Sequence, residues 1–396
     1  MSLLSSVKEA SLASAAEVIR LRRHLHANPE LSYQEYKTAK FVADTLRSFG
    51  LNPVEGVAGT GVVALIEGRN AGKRTVALRA DMDALPIQEA NNVPYKSSKA
   101  GVMHACGHDV HTSSLLGTAK ILAGVRDQFE GTVKLIFQPG EEKNPGGASL
   151  MIKEGVLENP RPVSIIGQHV MPLVPVGKIG FREGMYMASS DEIYIKVIGK
   201  GGHGATPELT IDPVLIASHI IVALQQVISR NASPKQPTVL TFGRIHGDGA
   251  TNIIPNEVDI AGTFRALNEE WREAGLKKIV KMAESMAEGM GGRCEIELSK
   301  GYPYLENNPE LTRRIRKAAE DYVGPENVVD IDLTLGSEDF AYYSHLVPAS
   351  FYRLGTRNES KGITSYVHTP TFDIDEDALR IGPGVMAWMA ISELAL

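Results

Sequence analysis

Residues 104–142 read HACGHDVHTSSLLGTAKILAGVRDQFEGTVKLIFQPGEE. The stretch opens with three histidines, His104, His108 and His111, around Cys106. It continues through residues 112–123, where apolar side chains recur with the period of a helix. It ends in a short β-rich run, residues 132–137, with Glu141 and Glu142 just beyond. A helix feeding a buried strand with acids past its end is a unit of an α/β layer. In such sheets, sites gather beyond the carboxyl ends of the strands.

Working outward, the same pattern recurs. Residues 61–67 (GVVALIE), 75–79 (TVALR) and 163–166 (VSII) are short β-rich runs. Asp81 and Asp83 follow the second, and His169 follows the third. The reading is therefore a mostly parallel buried sheet whose strand ends converge on one crevice. Upstream, Val18, Leu21 and Leu25 mark a helix ending at Asn28-Pro29. Ser32 and Glu35 form a capping-box pattern ahead of a second helix that runs to Gly50.

The middle third differs. Strand patterns at 191–198, 238–245, 257–267 and 293–300 interleave with helices at 213–227 and 269–290. That β-α-β-β-α-β order predicts an inserted α+β ferredoxin-like domain at 187–299, within a catalytic α/β domain of 1–186 and 300–396. A helix at 309–323 resumes the catalytic domain.

The chain has 396 residues, 43% hydrophobic and 22% charged, with net charge −6. Two domains are the default for that length. The acidic balance argues against nucleic acid as a partner, and no apolar run reaches the roughly 20 residues of a membrane span. With only Cys106 and Cys294 as cysteines and no secretory leader pattern, a cytoplasmic home is expected.

The chemistry-bearing residues read as follows. Cys106 and His108 sit two apart across a glycine, which suits a zinc-type site, and Asp109 adds an adjacent second-shell or bridging carboxylate. Glu141 and Glu142 suit a division between proton transfer and metal binding, although a solvated pair on a loop has the same sequence. Asp81 and Asp83 point to one side of an extended chain, either to orient a histidine or to cap a turn. His169 and His368 are lone histidines, each more often structural than ligating. Gly199–Pro207 is glycine-dense around His203, so a ligand could approach its backbone closely. Asn252 and Arg265 supply an amide and a guanidinium, and a guanidinium can grip a carboxylate with two bonds.

Taken together, these motifs resemble the aminoacylase and carboxypeptidase family of dinuclear metallopeptidases. Within it they are similar to the amidohydrolase branch, with its hippurate hydrolases, auxin-amino-acid hydrolases and N-acetyl-diaminopimelate deacetylase. The matching stretches are RRHLHANPELSYQE, LRADMDALP, MHACGHDVHTSSLLG, FQPGEE with GGASLMIKEGVL, GQHV, GKGGHGATP, TNIIPNE, GTFRAL, SEDFA and HTPTFDIDEDAL, in the family's order. The resemblance implies two divalent ions (zinc, manganese, cobalt or nickel) on Cys106, His108, Glu142, His169 and His368. It implies Glu141 as general acid/base, Asp83 as support for a metal ligand, and His203 as an oxyanion donor across a homodimer formed by the inserted domain. Asn252 and Arg265 fall on substrate contacts, and Asp109 and Glu338 on second-shell positions. The implied activity is hydrolysis of N-acetyl, N-benzoyl or N-aryl-acyl amino acids. A dipeptidase or carboxypeptidase, or a catalytically silent metal-binding module, are the alternatives. Where many relatives read QPAEE and GLHVWP, this chain reads QPGEE and GQHVMP, so Gln168 and Met171 are expected to reshape the acyl pocket.

Overall fold

The computed structural model describes residues 2–396, which form two compact units. The first comprises residues 2–184, Glu306–Asp332 and Asp339–Leu396; the second comprises Met185–Leu305 and Leu333–Glu338.

The first unit is built on an eight-stranded sheet in the order Val54–Val57, Gly61–Glu67, Thr132–Gln138, Thr75–Asp81, Ser164–Pro175, Ala349–Arg357, Ile179–Phe181, Val328–Asp330. Its central strands pair in parallel, from Thr132–Gln138 through Thr75–Asp81 and Ser164–Pro175 to Ala349–Arg357. Gly61–Glu67 joins antiparallel on one side and Ile179–Phe181 on the other. Thr75–Asp81 and Thr132–Gln138 are buried at every position, as their continuous β-branched runs require when both faces are covered. Register fixes the site edge. Asp81 stands opposite Gln138, and Arg79 stands opposite Gly167, two residues before His169. Three adjacent strands thus deliver polar side chains at one level.

Helices Leu3–Ala27, His108–Gly124 and Ala378–Leu394 pack together over this sheet. The first is capped by Ser2, whose hydroxyl accepts from the Ser5 amide, and it buries Val7, Val18 and Leu25. Close helix approach depends on Gly117: a Cβ there would lie 2.7 Å from Val18 Cγ2 and 3.0 Å from Pro383 Cβ. The expected capping box at Ser32 and Glu35 does not form. Glu35 is the N-cap of Tyr36–Ser48 but makes no side-chain cap, because its carboxylate is taken by the Gly140 amide and the Thr60 hydroxyl. Ser32 donates instead to Asp83.

The second unit is a four-stranded antiparallel sheet in the order Thr238–His246, Glu257–Ala266, Asp191–Ile198, Arg293–Lys300. In chain order this is second, third, first, fourth, the ferredoxin-like arrangement. Asp191–Ile198 alternates in burial, turning Ile193, Ile195 and Val197 toward Ile216, Ile220, Leu224 and Ile279 of the two helices. The helical run 213–231 is long and apolar enough to cross a membrane by length and composition alone, yet its Ile216, Ile220 and Leu224 belong to this core. On its other face Val214, Leu215 and Val222 are exposed.

Gly117→Val should overpack the three-helix contact and lower folding stability by about 1–3 kcal/mol. Urea denaturation measures this, and an unchanged midpoint would contradict the close-contact reading.

Candidate metal centre

The candidate donors that gather at the sheet edge come from four chain segments of the first unit. Cys106 and His108 flank Gly107, and His108 begins the helix His108–Gly124. Gly107 has φ +87°, and a Cβ on it would lie 2.6 Å from Val170 Cγ2, so no other residue fits between the two donors. His169 leaves the sheet on Ser164–Pro175. His368 sits at φ 62°, an unusual backbone for a non-glycine residue, tied by its amide to Ala105 O at 2.7 Å. Glu141 and Glu142 follow the strand Thr132–Gln138.

The donor atoms converge. Cys106 Sγ is 3.4 Å from His169 Nε2 and 3.3 Å from His368 Nε2. His368 Nε2 is 3.2 Å from Glu142 Oε1. His108 Nε2 lies 3.9 Å from Glu142 Oε1 and 4.0 Å from Glu141 Oε2. Cys106 belongs to two cation-sized groups, one with His108 and His169, the other with Glu142 and His368, while His108, Glu141 and Glu142 make a third.

Two observations show that this donor set fits a metal. His108 Nε2 is buried without a hydrogen-bond partner, and such an atom is costly unless something binds it. The imidazoles are also oriented for ligation. His108 Nδ1 donates to Asp83 Oδ1 at 3.2 Å and His169 Nδ1 donates to Val170 O at 2.8 Å, which leaves both Nε2 atoms facing the cluster. Burial and Arg353 hold His169 well below its ordinary pKa, hence neutral. Burial, with Glu142 and Glu141 nearby, pushes the Cys106 thiol well above its ordinary value. A cation would favour the thiolate and compensate the carboxylates.

Asp83 is the organiser. Its carboxylate accepts from His108, from the Ser32 hydroxyl at 2.6 Å, and from the amides of Glu141 and Glu142, each at 3.0 Å. Burial opposes its charge, but these donors keep it below the usual carboxylate range. Asp81 does not cap a turn. It accepts from His111 Nδ1 at 2.6 Å and from Arg79. His111 Nε2 in turn accepts the Val170 amide at 2.9 Å, so both its nitrogens are engaged and it steadies the strand beside His169. Arg79 also meets Asp339, which accepts from Gln138 and from the Ala148 amide.

The other expected residues are placed as follows. Asp109 joins none of the cation-sized groups, so it is no bridging ligand: its carboxylate pairs with Arg22 at 2.7 Å and His26 at 2.8 Å. Helix periodicity explains this, since the residue after His108 points about 100° away from it. Gln168 faces away from His169 on the alternating strand and meets Tyr352 and Ser114, so it shapes the core and not an acyl pocket. In the second unit, His203 pairs with Ile253 in a small exposed ladder, and the Gly204 amide bonds Asn252 O at 2.9 Å, which keeps His203 and Asn252 together. Arg265 lies on Glu257–Ala266, half-buried and 3.4 Å from Leu335 O. Glu338 is buried at the end of Leu333–Glu338. The residues alone gave no role to Arg22, His26, Tyr33 or Arg79, and gave Ser32 and Glu35 only the capping box. The only signal was their place in the stretches RRHLHANPELSYQE and LRADMDALP.

An α/β sheet edge that gathers sulfur, nitrogen and oxygen donors beside a second carboxylate defines the metallohydrolase class of site. Residues 77–391 match Peptidase family M20/M25/M40. The chain is 42% identical over 377 residues to thermostable carboxypeptidase 2 of Saccharolobus solfataricus, covering 94% of each. It is 39% identical to IAA-amino acid hydrolase ILR1-like 5 of Arabidopsis thaliana, over 94% of this chain and 86% of that one. The structure of Bacillus subtilis YxeP, described as a dinuclear metal binding peptidase from the M20 family, superposes with a TM-score of 0.83 at 35% identity, covering 97% and 99%. The chain therefore belongs to Peptidase family M20/M25/M40, and is a hydrolase of the amidohydrolase or carboxypeptidase kind.

Asp109→Ala would leave Arg22 and His26 buried beside a missing charge, at a cost of about 3–5 kcal/mol in folding stability. Burial opposes ionisation of Asp109, but Arg22 and His26 hold its carboxyl far below the usual range. Its contribution is thus present above the ordinary carboxylate pKa and fades as pH falls. Denaturation of both proteins at pH 7 and in acid tests this, and equal stabilities at pH 7 would refute it.

Proposed function

We propose that this chain hydrolyses the amide bond of N-acyl amino acids with acetyl, benzoyl or aryl-acyl groups, using two divalent ions per subunit. The observation that carries the reading is Cys106 shared between two donor groups, with the Glu141 carboxylate beside them. Cys106, His108, Glu142, His169 and His368 would hold the ions. Zinc, manganese, cobalt and nickel all suit such a mixed donor set. When bound, the ions supply Lewis acidity to the amide carbonyl and make water acidic near neutral pH.

The chain's own groups do the rest. Glu141 takes the proton of the attacking water and returns it to the leaving nitrogen. Asp83 keeps His108 oriented. His203, supplied by a second copy of the chain, donates to the developing oxyanion, a contact typically worth about 3 kcal/mol. Asn252 and Arg265 grip the free carboxylate of the amino acid. Asp109 and Glu338 act from behind the directly contacting groups. A homodimer through the second unit is supported by the exposed Val214, Leu215 and Val222. The free thiols of Cys106 and Cys294 support a reducing, cytoplasmic compartment. The carboxypeptidase relative at 42% identity favours peptide hydrolysis as a second reading.

A panel of N-acetyl, N-benzoyl and aminoacyl amino acids separates the two readings. Preferential cleavage of the acylated compounds is expected, and preference for free α-amines would favour the peptidase. Glu141→Gln should keep fold and metal content while losing about 10²–10⁴-fold in kcat. Retained turnover would remove Glu141 from the mechanism. Mixing His203→Ala with Glu141→Gln subunits should restore activity, since one mixed site would be intact; no recovery on verified exchange would exclude action across a dimer.

A further inference from the structure

The turn carrying Glu141 and Glu142 has a left-handed residue, Gly140 at φ +56°, at its base. Its first amides take no partner from the turn itself. The Gly140 amide donates to Glu35 Oε1 at 2.8 Å, and those of Glu141 and Glu142 donate to Asp83. Behind both acceptors stands one short segment near the start of the chain. We propose that Ser32, Tyr33 and Glu35 form a clamp that sets the position of the Glu141–Glu142 turn, and so act as positioning residues for the general acid/base. This rests on the role given to Glu141 above.

Each clamp residue holds a different part of the turn. Ser32 donates to Asp83 Oδ2 at 2.6 Å, fixing the carboxylate that binds the two glutamate amides. Tyr33 lies against Gly140 so closely that a Cβ there would be 2.3 Å from the tyrosine Cε1. Its hydroxyl donates to Lys143 O at 2.6 Å and accepts the Gly146 amide at 3.1 Å, bracing the far side of the turn. Glu35 is fully buried, and it also accepts the Tyr33 amide at 2.9 Å and the Thr60 hydroxyl at 2.7 Å. Tyr33 itself adopts φ 64°, an unfavourable backbone for an aromatic residue. Strain of this kind persists where surrounding contacts over-determine it. Here those contacts converge on the acid/base turn. None of the three joins a metal-sized donor group, so the clamp acts through the turn.

The test uses the full chain, Tyr33→Phe and Glu35→Gln, each close in shape to the native residue. In metal-free protein, hydrogen exchange of the amides of residues 140–144 and 146 is followed. In Mn²⁺-reconstituted protein, kcat and KM for N-benzoylglycine and the metal content are measured. The clamp predicts faster exchange confined to those amides, kcat lower by about 10–100-fold, and KM and metal content close to the parent. Unchanged exchange in both variants overturns it, as does loss of activity that tracks loss of metal. The parent chain and Glu141→Gln are run alongside. An inactive parent, or an active Glu141→Gln, defeats the functional reading, while the exchange result still decides whether the turn is clamped.

Discussion

The site depends on one carboxylate. Asp83 is buried, so its charge is tolerable only with several donors around it. It receives them from three directions: a histidine on a helix, a serine near the chain start, and two consecutive amides of the glutamate turn. Each donor is satisfied only if the others are in place. The same bond to Asp83 Oδ1 also decides which nitrogen of His108 is free. Backbone placement and ligand tautomer are therefore set by a single group, and an error of one residue in any contributing segment would leave a buried charge exposed to apolar surroundings.

A second constraint is charge balance. Asp81, Asp83, Glu141 and Glu142 crowd around His108, and the chain's buried cations lie behind them: Arg79 against Asp81 and Asp339, Arg22 against Asp109 and Asp373. Despite its burial, His108 is raised to about 10 by Asp81, Asp83 and Glu142. A proton on that imidazole and a metal ion compete for one job, and the buried His108 Nε2, which has no hydrogen-bond partner, marks where it is done. Arg79 and Arg22 favour the ionised forms of Asp81 and Asp109 and belong to none of the cation-sized groups.

Much of this architecture was readable in the residues. Four strands of the large sheet, the helix over residues 112–123 and the strand and helix order of the second unit follow from apolar periodicity, a local property that burial amplifies; Val54–Val57, Ile179–Phe181, Val328–Asp330 and Ala349–Arg357 were not read. Local signals failed where a side chain had two possible partners. Ser32 and Glu35 carry the spacing of a capping box, but the acceptors and donors that win are Asp83, Thr60 and Gly140, distant in sequence and close in space. For Asp109 the residues left a bridging and a supporting place open; on the helix it turns toward Arg22, away from the donor groups. His111 was visible as one histidine among three, yet only the fold reveals that both its nitrogens are already used.

The two departures from the family pattern now separate. Gln168 sits on the strand face opposite His169 and bonds Tyr352, so a change there is a core adjustment with its partners nearby. Gly140 is different. Its left-handed backbone and its contact with the Tyr33 ring leave no room for the alanine many relatives carry, unless the ring moves. Tyr33 and Gly140 are thus one structural choice made at two places in the chain: the ring can lie flat against the turn because the turn has no side chain there. The clamp in this protein is tighter than an alanine-bearing turn would permit, and the position of the acid/base is tied to that packing.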